Sequence, residues 1–391
     1  MNTKHSILAT ALGLGLAAVA SADTTTTIVL TGSTAFRSAA HAAIQATMTG
    51  ETFAYSGTDI TAATYAIFTE VTGVSPNQNT LIVKTSWTGS AAGIRDVAQG
   101  NTVKVIPSSQ TQTVGGTASV PVDGNGVLVT SENLVADAAM SDVFQASTIY
   151  TTPTLVDNKV AVVPFTWVAN DGAPAELDAM TPLLARALFS NGSLPLSMFT
   201  GLPADNASFV FATGRDPESG TRITAAAESG QGVFASAVHY QPGTITGDVI
   251  QSHQIWPAQV TPIAYDAGNN GYTSGGNLRS ALAAKSFSTL GGYYVSYLGI
   301  NDSNTVVTGG GKRLKWNGVD YSDNNVREGK YSFWGYQHMF YRSTLTGTHL
   351  TKVNAIRDNI VSTVAAPNVK LTDMKVSRIS DGTLIGSTLG D

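Results

Sequence analysis

From Thr24 onward, short β-branched or apolar runs alternate with stretches whose apolar residues recur at helical spacing. "TTTTIVLTG" reads as a strand closed by glycine, and "STAFRSAAHAAIQATM" as a helix with Ser33 or Thr34 near its cap. "TLIVKTSW" is a second strand, followed by the turn and helix "TGSAAGIRDVAQG". "NKVAVVPFTWVAN" is a long, wholly apolar strand, "AMTPLLARALFSNG" an amphipathic helix, and "ASFVFATG" a further strand. Strands alternating with helices predict an α/β protein with largely parallel sheets. A polar stretch, "PSSQTQTVGGTASVPVDGNG", reads as an inserted surface hairpin or mobile loop without chemistry of its own.

Three strand–turn–helix units carry small hydroxyl residues and glycine at the turn: "GSTAF", "TGSAAG" and "ESGTR". The first N–H groups of a helix have no intrahelical acceptor, and the helix dipole is positive there. Small residues let an anion reach those groups, and hydroxyls add donors. In "GRDPESGTR" the arginine Arg215 stands four residues before Ser219, where it can supply a two-pronged clamp for a tetrahedral oxyanion. Taken alone, such a turn is more often helix-capping chemistry, with Arg215 paired to Asp216 or Glu218 at the surface. Asp142 has a reading of the same kind, as a cap on a helix near "VFQA".

Composition narrows the choices. The 391 residues exceed one small core and indicate two domains, with 42% hydrophobic and 13% charged residues. A net charge of −5 argues against nucleic acid or an anionic membrane as partner, so an anion must be attracted by local groups. No cysteine is present, which removes disulfides, thiol catalysis and thiolate metal sites. The six histidines are scattered without a metal-ligand spacing, and no Gly-x-Ser-x-Gly turn occurs. "TGGGKRL" lacks phosphate-loop spacing and reads as a tight turn. His338, in "QHMFYR", reads as a packed or edge residue of an aromatic strand, and Arg37 and Arg222 as solvated helix residues. At the N-terminus, "MNTKH", the run "SILATALGLGLAAVA" and "ASA" read as a signal peptide, residues 1–22, cleaved near Ala22–Asp23. The expectation is a periplasmic or secreted chain whose mature part does not insert in a membrane.

Four loops, in order, resemble those of periplasmic phosphate-binding proteins, the solute-binding components of phosphate ABC transporters. "TGSTAF" resembles the family's first anion loop and implies the Thr34 hydroxyl and the Ala35 N–H as donors, or one residue on if the register falls at Phe36. "GSAAGI" resembles its Gly-Ser-Ser-Gly-Gly-Val turn and implies Ser90. "DAAMSD" resembles its Asp-Phe-Gly-Ala-Ser-Asp segment and implies Asp142 as the carboxylate that reads phosphate. "RDPESGT" resembles its Arg-x-Asp-Gly-Ser-Gly-Thr loop and implies Arg215, Ser219, the Gly220 N–H and Thr221. Here Asp216 is adjacent to the arginine, and Pro217 stands where the family has aspartate. "GGYYVSYLGI" and "GKYSFWGYQHMFYR" resemble the family's later strands.

The resemblance implies a two-domain periplasmic-binding-protein-like fold with a hinge and an interdomain ligand cleft. Domain I would comprise 23–166 and 336–391, and domain II 167–335. It further implies inorganic phosphate as ligand, an ABC-transporter permease as partner, a monomer, hinge closure on binding, no cofactor and no enzymatic activity. Two other readings are a secreted or surface phosphate-binding-like protein with no transport role, and a phosphatase.

Overall fold

The computed structural model describes residues 22–124, 126–260, 263–284 and 292–387. The signal-peptide reading therefore lies, but for Ala22, outside the described residues. Nine α-helices are found among them: α1 (Arg37–Thr47), α2 (Ser90–Gln99), α3 (Pro182–Asn191), α4 (Ser197–Thr200), α5 (Gly220–Glu228), α6 (Gly275–Leu282), α7 (Ile300–Thr308), α8 (Asp323–Arg327) and α9 (Gly347–Thr363). None is long and apolar enough to cross a membrane.

The chain is a mixed α/β fold built on one long sheet, and the strand Val156–Ala169 is its spine. Residues Val156–Pro164 pair antiparallel with Trp334–Tyr341, whereas Phe165–Ala169 pair antiparallel with Gly292–Gly299. The partner changes between Pro164 and Phe165, so one strand serves two halves of the sheet. In the first half, Thr24–Gly32 lies parallel between Asn79–Ser86 and Ala138–Ser141. In the second, Phe209–Ala212 runs parallel to Gly292–Gly299.

Two short pairings are also parallel, Thr52–Ser56 with Thr117–Val120 and Ala179–Met180 with Lys312–Trp316, and the other contacts along the sheet, including Tyr65–Thr72 against Asn79–Ser86, are antiparallel. The expected predominance of parallel pairing is thus corrected to a mixed sheet. The reason is local: Tyr65–Thr72 and Asn79–Ser86 are joined by a short turn, which permits only an antiparallel pair.

The polar insertion is ordered. Thr113–Val114 and Thr117–Val120 turn at Gly115 and Gly116 and extend the sheet edge along Thr52–Ser56. Pairing covers part of that strand's free edge, which would otherwise be open to another chain.

Burial follows the apolar patterning. On α9, Val353, Ile356 and Ile360 recur three and four residues apart and face α1 and the sheet. Beyond the spine, Trp167 stacks on Phe333 with ring centroids 5.3 Å apart and meets Tyr297 edge-on. The turn read in "TGGGKRL" separates α7 from the strand Lys312–Trp316.

Candidate functional site

Parallel pairing brings the sequence-predicted loops together. Gly32 pairs with Met140 and Thr31 with Ser86, so three strands end side by side and release residues 33–36, 87–89 and 142 at one edge. Ala212 ends next to Val295 in the other half, releasing residues 213–219 into α5. Loops leaving the carboxyl ends of neighbouring parallel strands form the usual crevice of such sheets.

Asp142 sits at the centre of the crevice, 1% exposed. The Ser90 hydroxyl donates to its Oδ1 at 3.0 Å, and the Thr221 hydroxyl to its Oδ2 at 3.4 Å. Its backbone N–H donates to Ser90 Oγ at 3.2 Å. Burial pushes the Asp142 carboxyl above its ordinary value; the Ser33 and Ser90 hydroxyls, the Arg215 charge and the Thr221 hydroxyl push back. Ser33 Oγ acts from nearby without meeting hydrogen-bond geometry. The 3₁₀ turn that follows Asp142 begins at Gln145 and is capped at Phe144, so Asp142 caps no helix.

Gly220 lets the two halves meet. A Cβ on Gly220 would collide with Ser90 Oγ and lie 3.0 Å from Asp142 Oδ2. Close by, Gly89 has φ of +112° and precedes α2, and the Ala91 N–H donates to Glu218 O at 2.9 Å. Contacts from residues 89–91 and 142 to residues 218–221 thus join both halves at the floor of the crevice.

Arg215 is 2% exposed and lies within 4 Å of no carboxylate among the described residues, so pairing with Asp216 or Glu218 does not occur. Its Nε donates to Tyr272 O at 2.9 Å and its Nη2 to Thr273 O at 3.0 Å. Those bonds fix the guanidinium plane and leave Nη1 without an acceptor among the described residues. Thr34, Ala35, Arg215 and Thr221 line one small pocket with Tyr297 and Asp302.

The pocket is surrounded by idle donors. The backbone N–H groups of Thr34 and Ala35 have no acceptor among the described residues, nor have those of Gly220 and Thr221, the first two residues of α5. The Thr34 hydroxyl is likewise unbonded. Helix α1 starts at Arg37, with Phe36 at its cap position and no side-chain cap, so Ser33 and Thr34 do not cap it. The Ser33 N–H is drawn to Met140 O at 2.8 Å, which keeps this segment extended. Ser219 does cap a helix: its Oγ accepts from the Arg222 N–H at 3.4 Å, leaving its proton to donate elsewhere.

Several residues differ from their reading in the sequence. The Glu218 side chain turns away from the crevice floor and accepts instead from Arg95 Nη1 at 2.5 Å and Tyr150 OH at 2.9 Å. Arg37 and Arg222, expected to be solvated, are 6% and 7% exposed. Arg222 donates to Arg215 O at 3.2 Å and to Asn269 Oδ1, bracing the arginine loop from behind. His338 keeps the packed one of its two readings: it is fully buried in an inner strand, with Nδ1 2.7 Å from Asp157 Oδ1. His239, which the sequence reading passed over, is buried behind the loop, and burial lowers its pKa to about 3, so it stays neutral. No cluster of metal-ligating side chains occurs among the described residues.

No family model matches the chain, and no curated protein matches it. Solved structures do. One is a putative phosphate ABC transporter substrate-binding protein with bound phosphate from Clostridium perfringens, at 13% identity and a TM-score of 0.49, covering 88% of this chain and 100% of that one. Another is an ABC-type phosphate transport receptor from Vibrio cholerae, at 12% identity and a TM-score of 0.46, covering 85% and 93%. A possible phosphate binding protein from Planctomyces limnophilus gives 11% identity and a TM-score of 0.41, covering 88% and 93%. At such identities the function of this chain rests on its own site.

Proposed function

We propose that this chain binds inorganic phosphate in the crevice between the two halves of its sheet and delivers it to a membrane permease outside the cytoplasm. The observation that carries the reading is the meeting of Ser90, Asp142 and Thr221 beside Arg215, whose Nη1 is idle. Hydroxyls, helix N–H groups and a guanidinium are donors for an oxyanion, and the carboxylate accepts the proton that phosphate still carries at neutral pH. Thr34, Ala35, Ser90 and Asp142 hold the anion from one half, and Arg215, Ser219, Gly220 and Thr221 from the other.

The halves act as domains that hinge where the spine changes partner, at Pro164 and Phe165, and at the return strand Trp334–Tyr341. An anion touched by both halves only when they close shifts the population toward the closed form. The closed form is the one a permease would recognise; the transport role itself leans on the resemblance of the four loops. The groups around the anion bind and orient it but include no activated nucleophile with an orienting base, so binding without turnover is the reading.

Calorimetry on refolded, ligand-free protein tests it. Phosphate is expected to bind the wild type, Arg215→Lys to bind clearly more weakly, and Arg215→Ala to lose ~2–5 kcal/mol. A wild type that takes up no phosphate, or equal affinity in all three proteins, would overturn the proposal.

A further inference from the structure

Arg37 is the first residue of α1, a position from which a long cation ordinarily reaches water. Instead it is 6% exposed, and its guanidinium makes no hydrogen bond and no ion pair with any described residue. A buried charge without a partner is strongly unfavourable and is seldom left so in a folded protein. Burial lowers its pKa; Asp302 opposes this, while Arg215 and Arg279 add to it. The Asp302 carboxylate is already engaged, accepting from Arg279 Nη1 at 3.0 Å.

The side chain crosses from one half of the molecule to the other. A Cβ built on Gly276 would lie 3.6 Å from Arg37 Nη2, which places the guanidinium at the N-terminus of α6. The neighbouring Gly275, together with Asp302, lines the same small pocket as Thr34, Arg215 and Thr221. The N-terminal ends of α1, α5 and α6 therefore adjoin one pocket, with a second, unengaged guanidinium beside them.

We propose that Arg37 is a further anion-binding residue, a second guanidinium whose counter-charge is the ligand itself. This rests on the phosphate reading of the same pocket and deepens it. Arg279 and Asp302 neutralise one another, so the charged groups around the pocket are three arginines, Arg37, Arg215 and Arg222, against two buried carboxylates, Asp142 and Asp216. A net positive pocket of that composition takes a tetrahedral dianion in preference to a monoanion. Because α1 and α6 belong to different halves, the anion recruits Arg37 only when they are together.

The test is calorimetry with inorganic phosphate on the wild type, Arg37→Lys and Arg37→Gln, alongside thermal unfolding of each protein free of ligand. Arg37→Gln is expected to weaken phosphate binding ~30-fold or more, with Arg37→Lys between it and the wild type. The ligand-free Arg37→Gln protein should melt no lower than the wild type, because an unpaired buried charge has been removed. A lower melting point with unchanged affinity would make Arg37 a clasp between the halves and overturn the inference. A wild type that binds phosphate no better than Arg37→Gln does so as well, leaving the phosphate reading intact. A wild type that binds no phosphate overturns both.

Discussion

Two carboxylates lie across the junction between the halves, and they are treated in opposite ways. At the rim, Glu218 accepts from Arg95 and Tyr150, and the pair is largely shielded, with side-chain exposures of 16% and 20% for Glu218 and Arg95. At the floor, Asp142 is more deeply buried, yet among the described residues its carboxylate receives only hydroxyl donors and has no cation within 4 Å. The rim is complete in itself: charge meets charge, and a ligand would add nothing. The floor keeps its nearest guanidinium, Arg215, engaged with carbonyls on one side and idle on the other. A site that holds its charges near one another but unpaired is ready for a third group that satisfies both.

The comparison can be broken most severely at Gly220. Its missing side chain lets α5 approach Ser90 and Asp142, and a methyl group there would hold the floor apart while sparing the rim. Gly220→Ala is expected to cost ~1–3 kcal/mol of phosphate affinity through overpacking. Calorimetry reads the loss, and small-angle scattering of the phosphate-loaded variant should show a more open molecule. Affinity and shape equal to the wild type would mean that the floor does not close around the ligand.

A milder perturbation addresses the rim. Glu218→Gln removes a partly shielded ion pair, for which about 1 kcal/mol or less is expected in thermal stability or phosphate affinity. Tyr150→Phe, which removes one hydrogen bond to the same carboxylate, should cost about half as much. Neither should alter the preference for phosphate over other oxyanions. A changed preference in Glu218→Gln would show that this carboxylate reads the ligand and that the rim and floor are one site.

The floor was legible in the sequence because its chemistry is local. Hydroxyl residues and glycines directly after a β-branched run mark a strand feeding a helix N-terminus, and parallel register then places those turns together. The loops at Thr34, Ser90 and Arg215 needed only their own neighbours to be noticed, whereas Asp142 entered through the resemblance of "DAAMSD" to the family's segment. The rim was not legible. Nothing near "PESG" announces that Glu218 meets an arginine 123 residues earlier in the chain, so it read only as a surface partner for Arg215.

Arg37 was obscured for a related reason. One turn of helix separates solvent from the interior, and the choice depends on α6, which packs from the far half of the chain. The antiparallel share of the sheet was hidden as well. Alternating strand and helix patterns stand out, while the return strands of the spine carry the same apolar runs in either direction.

The central claim is that Asp142 is kept for the proton of the ligand. Phosphate at neutral pH can donate to a carboxylate, whereas sulfate has the same shape and no proton, so it would confront Asp142 as one acceptor facing another. The decisive measurement is the ratio of phosphate to sulfate affinity in the wild type and in Asp142→Asn, both refolded free of ligand. The wild type should favour phosphate by ~10⁴-fold or more. The variant, whose amide can donate to sulfate, should lose much of that preference. A ratio unchanged by Asp142→Asn would contradict the account.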